Sequence, residues 1–317
     1  MKESDRLELI RISELNHVNP EYNVNHTIEL LNKDMFLYQN DLIKQYDLLS
    51  SSLFFLASGF KSYYLTKGVL NKSTSDLLFG CYLYGRIKYY SNYFGQKAGI
   101  YNTVYLWDLL FSILANDKKC IDSYYRLFNN PSNYMYEVRA IENGLREIIL
   151  QQKNIDLKNH EIFTRTSKTK FFESAIQLVR DCLRKDEEGF KRDSVDLLTN
   201  YRRWATSNNK YEEISIPIIP LALIRFGHDY CNFELPNLYF KDDYAISDFR
   251  EILTENYDSN LINDSSSLWP ELFSIIDCLS NEIEIENIIN KKKQLPTHGI
   301  VHAGFSAFRK FVTRKKS

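Results

Sequence analysis

Proline is almost absent from most of this chain, and that limits the folds open to it. No proline occurs between Pro20 and Pro131, and none occurs between Pro131 and Pro217. Glycine is also scarce, with 11 in 317 residues. Tight β-turns use both residues repeatedly, whereas helix interiors exclude proline and are weakened by glycine. Stretches of this length therefore favour helices over sheets, and the 44% of apolar residues supplies a packed core.

Apolar residues recur at helical spacing along most of the chain, which predicts amphipathic helices. The predicted helices cover 26–50, 51–65, 73–94, 103–115, 117–128, 134–150, 214–230, 247–255 and 266–290. Ser73 is the predicted N-cap of its helix, with Asp76 three positions later, and Gly68 is the predicted stop of the helix before it. Pro217 and Pro220 fall in a first turn, where a missing N–H costs little.

Two stretches, one on each side of the middle of the chain, share one pattern: a leucine, an aspartate three positions later and a large apolar residue after that. The first runs from Leu114 through Asp117 to Ile121, and the second from Leu183 to Phe190. In both, an apolar helix ends and an aspartate is placed to cap the next helix. We therefore predict an all-α fold of stacked antiparallel helical hairpins, repeat-like in character, in a single globular body.

The polar residues 151–170 have no clean period and mark the best internal boundary. We predict an N-terminal helical half over 1–150, a connector over 151–170, an acidic helical half over 171–297 and a basic tail over 298–317.

Charge is strongly segregated although the whole chain is nearly neutral. Residues 211–290, here called the acidic segment, carry sixteen carboxylates and only three basic side chains, a net charge of −13. The stretch 291–317 carries +8. A surface of one sign speeds the encounter with an oppositely charged partner by roughly 10–10³-fold. Because such a field repels phosphate, the predicted partner is a basic protein rather than nucleic acid.

The basic tail allows three interpretations. It would contact nucleic acid or lipid, form a short amphipathic helix on its own protein, or neutralise part of the acidic segment in cis.

Tyrosines within the acidic segment lie among carboxylates, and rigid rings with a polar tip are common anchors at protein interfaces. The predicted partner-binding residues are Glu212, Glu213, Tyr239, Asp242, Asp243, Tyr244, Asp248, Glu251, Glu255 and Asp258. A solvated acidic surface with incidental tyrosines is the alternative interpretation.

Motifs of catalysis and cofactor binding are missing from the sequence: there is no phosphate-binding loop, dinucleotide fingerprint, nucleophile elbow or zincin helix. His298 and His302 have helical i, i+4 spacing, but two ligands do not complete a tetrahedral zinc site. His228 and Asp229 are adjacent, so on a helix they point about 100° apart and cannot orient each other. We expect no enzyme activity, no cofactor and no metal.

Five widely spaced cysteines without a CxxC motif indicate reduced thiols in a cytoplasmic protein. The charged N-terminus is unlike a signal peptide, and no apolar run is long enough to be a membrane span. The sequence therefore predicts a soluble cytoplasmic protein without a membrane partner.

Several segments resemble the bacterial immunity protein 49 family over roughly residues 50–245. These are Phe54–Gly59, Thr103–Asp117, Phe172–Arg180 followed by Asp186 and Trp204, and Ile216–Arg225. The resemblance implies an all-α protein that neutralises a toxin domain delivered between competing bacteria, often a nuclease. It supplies no catalytic residues and implies structural roles for Trp107 and Trp204.

Three functional hypotheses follow. The first is an antitoxin whose acidic face binds a basic, nuclease-type toxin domain. The second is a helical scaffold for other proteins, which the repeated hairpin favours. The third is an unrecognised enzyme that would use His228 or the pair His298 and His302.

Overall fold

The computed structural model contains helices and connecting turns, with no strand among the residues it describes. Those residues are 3–13, 20, 22–27, 41–99, 105–127, 136–150, 160–208, 216–238 and 249–255. They pack into a single body, so the all-α prediction is confirmed.

Eleven helices with defined bounds organise the described residues, and residues 22–27 are also helical. They are α1 (Glu3–Ser13), α2 (Leu42–Asn71), α3 (Thr74–Lys97), α4 (Tyr105–Leu114), α5 (Lys118–Leu127), α6 (Tyr136–Ile149), α7 (Glu161–Thr164), α8 (Lys170–Arg184), α9 (Glu187–Ser207), α10 (Ile218–Cys231) and α11 (Arg250–Thr254). The predicted helix over 266–290 and the predicted helical residues 28–40 lie outside the described residues.

The long helices α2 and α3 form an antiparallel hairpin, and the prediction that Gly68 ends the first of them is wrong. The helix continues to Asn71, and Lys72 takes the left-handed conformation that ends it. Gly68 serves close packing instead, because a Cβ built there would lie 2.5 Å from Cγ of Leu77 on α3. The helix begins at Leu42 because the Asp41 side chain accepts a hydrogen bond from Lys44 N at 3.1 Å.

Three corners between consecutive helices share one backbone geometry. In each, a left-handed residue ends a helix, and the following residue donates its N–H back to the carbonyl five positions earlier, a Schellman closure. These pairs are Lys72 and Ser73, Asn116 and Asp117, and Lys185 and Asp186, with closing distances of 2.8, 2.9 and 2.9 Å.

The second residue of each corner also caps the next helix. Asp117 accepts from Cys120 N at 3.2 Å, Asp186 accepts from Gly189 N at 3.0 Å, and Ser73 accepts from Asp76 N at 3.1 Å. The capping predicted for all three side chains is therefore confirmed. The described residues contain this corner three times, whereas the sequence pattern predicts two copies.

The two predicted halves share one continuous core. Helix α10 packs against α4, and α8 packs against α6. Trp107 and Trp204, from opposite halves, both lie against Phe171, with ring centroids 6.5 and 5.2 Å away. Within the predicted connector, the buried Ile162 of α7 offers its carbonyl to Arg180 Nε at 2.8 Å. The halves are thus parts of one body.

Helix α10 begins at Ile218, later than the predicted start at residue 214. Pro220 lies in its first turn as predicted, whereas Pro217 is its N-cap rather than a residue of that turn. No helix among the described residues combines the length and the apolarity needed to cross a membrane.

Candidate partner-binding surface

Two of the ten predicted partner-binding residues, Glu251 and Glu255, lie among the described residues. Glu251 is in α11, Glu255 is its C-cap, and both side chains are exposed. Neither carboxylate forms an ion pair with another described residue. The predicted residues Glu212, Glu213, Tyr239, Asp242, Asp243, Tyr244, Asp248 and Asp258 lie outside the described part of the chain.

A buried arginine fixes the position of α11. Arg225 on α10 is 1% exposed, and its Nη1 donates to the carbonyl oxygens of Ile252 at 3.2 Å and Glu255 at 2.6 Å. The same nitrogen donates to the carbonyl of Leu114, the last residue of α4, at 2.8 Å. Carbonyls at helix C-termini carry partial negative charge, so they suit a buried cation.

Asp229 completes the environment of Arg225, accepting from Nε at 3.1 Å. Burial lowers the pKa of Arg225, and the Asp229 carboxylate opposes that shift. Arg225 is one of only three basic side chains in the acidic segment, and it points inward. Its charge is taken up there by Asp229, an acid of the same segment.

A second acidic group lies where the chain leaves α10. Glu234 donates its main-chain N–H to Glu187 Oε1 at 2.9 Å, and its carboxylate lies 3.1 Å from Lys191 Nζ. Lys191 also contacts Glu187 at 3.3 Å and Glu188 at 3.6 Å. We call Glu187, Glu188 and Glu234 the acidic corner, in which three carboxylates share one ammonium group.

The acidic corner is open to solvent, since the side chains of Glu188 and Glu234 are 89% and 82% exposed. The main-chain N–H of Glu234, with help from Lys191, lowers the pKa of Glu187. The hydrogen bond from Lys191 to Glu234 is the main cause that raises the pKa of Lys191 to about 12. Glu187 and Lys191 therefore keep their charges at neutral pH, and the corner sets three acidic side chains against one ammonium group.

Sequence reasoning missed Glu187 and Glu188, because they lie before the acidic segment. The sequence does contain a signal for them. Both follow the capping Asp186 directly, and acidic residues in the first turn of a helix are favoured at its N-terminal end.

Tyr230 belongs to the packing of α10 rather than to an exposed surface. Its ring stacks on Phe226 with centroids 4.9 Å apart. Burial, aided by the charges of Asp122 and Asp229, raises its pKa to about 12. Asp122 of α5 therefore lies close to the C-terminal half of α10.

His228 and Asp229 do not orient each other, as predicted. His228 Nδ1 lies 2.8 Å from the carbonyl oxygen of Phe233, while Asp229 binds Arg225. His298 and His302 lie outside the described residues. Within the described ranges no three His, Cys, Asp or Glu side chains are grouped in a way that would hold a metal ion.

The N-terminal half contains a buried polar network around Asp108. Its carboxylate accepts from Asn92 Nδ2 at 2.7 Å and Tyr84 OH at 3.0 Å, with Lys88 Nζ at 3.8 Å. Burial raises the pKa of Asp108 and lowers that of Lys88, although each opposes the other's shift. Perturbed groups of this kind often mark active sites. Here Lys88, Asn92 and Asp108 are all enclosed in the core, where the network joins α3 to α4.

Comparison with known proteins gave no match to a family model, to a curated protein or to a solved structure. The resemblance to the immunity protein 49 family therefore stays a prediction.

Proposed function

We propose that this protein is a cytoplasmic immunity protein that binds and neutralises a basic toxin domain, of nuclease type, through an acidic surface around α10 and α11. The observation that carries the proposal is the pair of exposed carboxylates, Glu251 and Glu255, on a helix that the buried Arg225 attaches to the core. They belong to a segment with a net charge of −13.

The geometry suits recognition of a cationic surface. Arg225, which holds α11, and Cys231, where the chain turns toward Glu234, both lie on α10, about 9 Å apart along its axis. The points on α10 that hold α11 and that lead to Glu234 thus lie within two turns of each other. A nuclease grips phosphate with basic side chains, so a fixed set of carboxylates would occupy the same groove. Inhibition would follow from covering the site.

The proposal is tested by reversing charge on α11. Where a basic nuclease domain is encoded in the neighbouring reading frame, we expect the double variant Glu251→Lys and Glu255→Lys to slow association with that domain by about tenfold at low salt, and less at high salt. Binding kinetics at several salt concentrations measure the effect, and survival of toxin-expressing cells measures protection.

A matched control changes the total charge equally at exposed positions outside the predicted face. Asp47 on α2 and Asp196 on α9 are suitable for this purpose. The double variant Asp47→Lys and Asp196→Lys should associate at close to the native rate. Equal slowing by both pairs would mean that net charge alone acts, and no slowing by the α11 pair would remove this face from the proposal.

A helical interaction scaffold is the second candidate, and one observation favours it. Ile43, Phe54 and Phe55 on α2 are exposed, and apolar side chains grouped on a surface often mark a protein interface. The variant Phe55→Glu distinguishes the two functions. The scaffold would be supported if a cell protein that co-purifies with the native chain no longer bound Phe55→Glu but still bound the α11 double variant.

A further inference from the structure

Two thiols from different helices meet beside the acidic corner. Cys182 lies near the end of α8, Cys231 is the last residue of α10, and these helices pack together. The Cys231 Sγ lies 4.0 Å from the carbonyl oxygen of Cys182, so the two residues are in contact across the α8–α10 interface. Both are free cysteines.

The two thiols differ in exposure. Cys182 is 4% exposed, whereas Cys231 is partly open to solvent. Solutes therefore reach Cys231 first, and Cys182 lies behind it. This order of access is the one that a reactive cysteine and its resolving partner require.

The pKa values of the two thiols differ in the direction that these two roles require. The hydrogen bond from Cys182 lowers the pKa of Cys231, with a further contribution from the nearby Lys185 ammonium group against the effect of burial. The same interaction, together with burial, raises the pKa of Cys182 well above its ordinary value. Since the thiolate is the reactive form, Cys231 is the more nucleophilic of the two.

The other described cysteines lack these features. Cys81 and Cys120 are fully buried, and burial raises the pKa of Cys81. Cys120 is held by Ser112 Oγ at 3.3 Å and by the carbonyl of Gly85 at 3.7 Å. Buried thiols of this kind are inert toward solutes until the protein opens.

We propose that Cys231 and Cys182 form a peroxide-sensitive dithiol that closes into a disulfide between α8 and α10. In the first step the Cys231 thiolate attacks a hydroperoxide such as hydrogen peroxide, the O–O bond breaks, hydroxide leaves and a sulfenic acid forms. In the second step the Cys182 sulfur attacks the Cys231 sulfur, and its proton leaves with the hydroxyl group as water. The two thiols lose two electrons and the peroxide gains them.

The disulfide would act on the acidic corner. Asn232 follows Cys231 in a left-handed conformation, and Glu234 then binds α9 through Glu187 and Lys191. A disulfide at Cys231 would therefore restrain the end of α10, from which the chain leads through Asn232 to Glu234.

The test uses the full-length reduced protein and hydrogen peroxide, without any partner. We expect intact mass to fall by about 2 Da as one disulfide forms, and a digest without reductant to give a peptide pair joining Cys182 to Cys231. The variant Cys182→Ser should stop at a sulfenic acid on Cys231, which dimedone labels. The variant Cys231→Ser should lose the fast reaction with peroxide, by at least about tenfold in rate.

Cys278 provides the matched control, since it lies outside the described residues and could compete for Cys231. The variant Cys278→Ser should still form the link between Cys182 and Cys231. A link from Cys231 to Cys278, or no fast thiol loss in the native protein, would overturn the proposal. Helical circular dichroism checks that each variant is folded, and Cys231→Ala must repeat the result of Cys231→Ser.

Because the readout is thiol chemistry in the isolated chain, its outcome is independent of the proposed toxin binding.

Discussion

The corner between α4 and α5 and the corner between α8 and α9 have the same backbone but opposite electrostatics. In the first, here the N-terminal corner, the capping Asp117 is also paired in the core with Arg86, whose Nη2 donates to Oδ1 at 2.7 Å. In the second, the C-terminal corner, the buried Asp181 faces a second carboxyl group, that of Asp193. One corner thus pairs its buried carboxylate with a cation, whereas the other places a buried carboxyl group beside a second acid.

The difference shows in the pKa directions. Burial disfavours the charge of Arg86, yet its hydrogen bonds to Asp117 outweigh that effect and raise its pKa. Burial and the hydrogen bond with Asp193 raise the pKa of Asp181 to about 7. A backbone motif therefore sets where the chain turns, while the side chains behind it set whether the turn responds to pH.

Removal of the Arg86 guanidinium group is expected to give the largest difference in stability between the two corners. We expect Arg86→Met to lower the free energy of unfolding by about 3–5 kcal/mol, because it leaves Asp117 buried without that cation. At the C-terminal corner, Arg192 pairs with Asp193 at 2.7 Å, but its side chain is 67% exposed. Arg192→Met should therefore cost much less than Arg86→Met, because solvent screens an exposed ion pair. Urea unfolding of both variants measures the contrast, and equal losses would contradict it.

Glycines behind the corners give the next largest effect. A Cβ at Gly85 would clash with Ser112 Oγ and lie 3.1 Å from the Ser112 main-chain nitrogen, which cannot move away. We expect Gly85→Ala to cost about 1–3 kcal/mol despite the better helix propensity of alanine. A Cβ at Gly189 meets the Asp186 side chain at 2.6 Å, and a side chain can shift. Gly189→Ala should cost less, and thermal unfolding that reversed this order would show that the N-terminal corner is the looser one.

The raised pKa of Asp181 predicts pH-dependent stability at the C-terminal corner. The pKa of Asp181 is about 7 in the folded protein, above the value of 3.8 for an unperturbed aspartate. Between these values the folded state holds a proton that the unfolded state releases, so stability falls as pH rises and then levels off above about 7. The groups around Asp181 are Asp193, Asp186, Arg180 and Gln177, whose amide donates at 2.9 Å.

Asp181→Asn tests this prediction, because the amide keeps the shape and removes the titration. We expect the free energy of unfolding of the native protein to fall by about 1–2 kcal/mol between pH 4 and 7 because of Asp181 and its neighbour Asp193. The free energy of unfolding of the variant should lack this dependence on pH. Asp117→Asn serves as the control at the other corner and should be destabilised across the whole range. Chemical unfolding at several pH values gives the slopes, and a slope that persists in Asp181→Asn would assign it to other groups.

Local chemistry explains which parts of this fold were predictable. Ser73, Asp117 and Asp186 were identified as caps because a cap depends on residues three positions away. The Arg86–Asp117 pair joins distant parts of the chain, and the inward direction of Arg225 depends on the carbonyls of α4 and α11. Such contacts exist only once helices are packed, so a count of charges along the chain could not find them.

The candidate surface shows the same division. The sequence predicted Glu251 and Glu255 from charge density, and both are exposed. Glu187 and Glu188 form the acidic corner with Glu234 only because the chain after α10 returns to α9. Likewise, the conformational freedom of glycine predicts a helix end at Gly68, whereas the structure needs a glycine there for close packing against Leu77.

The third corner, between α2 and α3, gives the smallest expected effect because its cap is neutral. Ser73 Oγ accepts from Asp76 N at 3.1 Å, while the Asp76 carboxylate binds Lys67 Nζ at 3.0 Å. We expect Ser73→Ala to cost about 1 kcal/mol and Ser73→Gly only a few tenths, with neither loss depending on pH between 4 and 8. Unfolding measured at both ends of that range checks this. If the stability lost in Ser73→Ala depended on pH, the ion pair between Asp76 and Lys67, and not the neutral cap, would be what stabilises this corner. The contrast with Asp181 would then be a contrast between an ion pair and a buried acid.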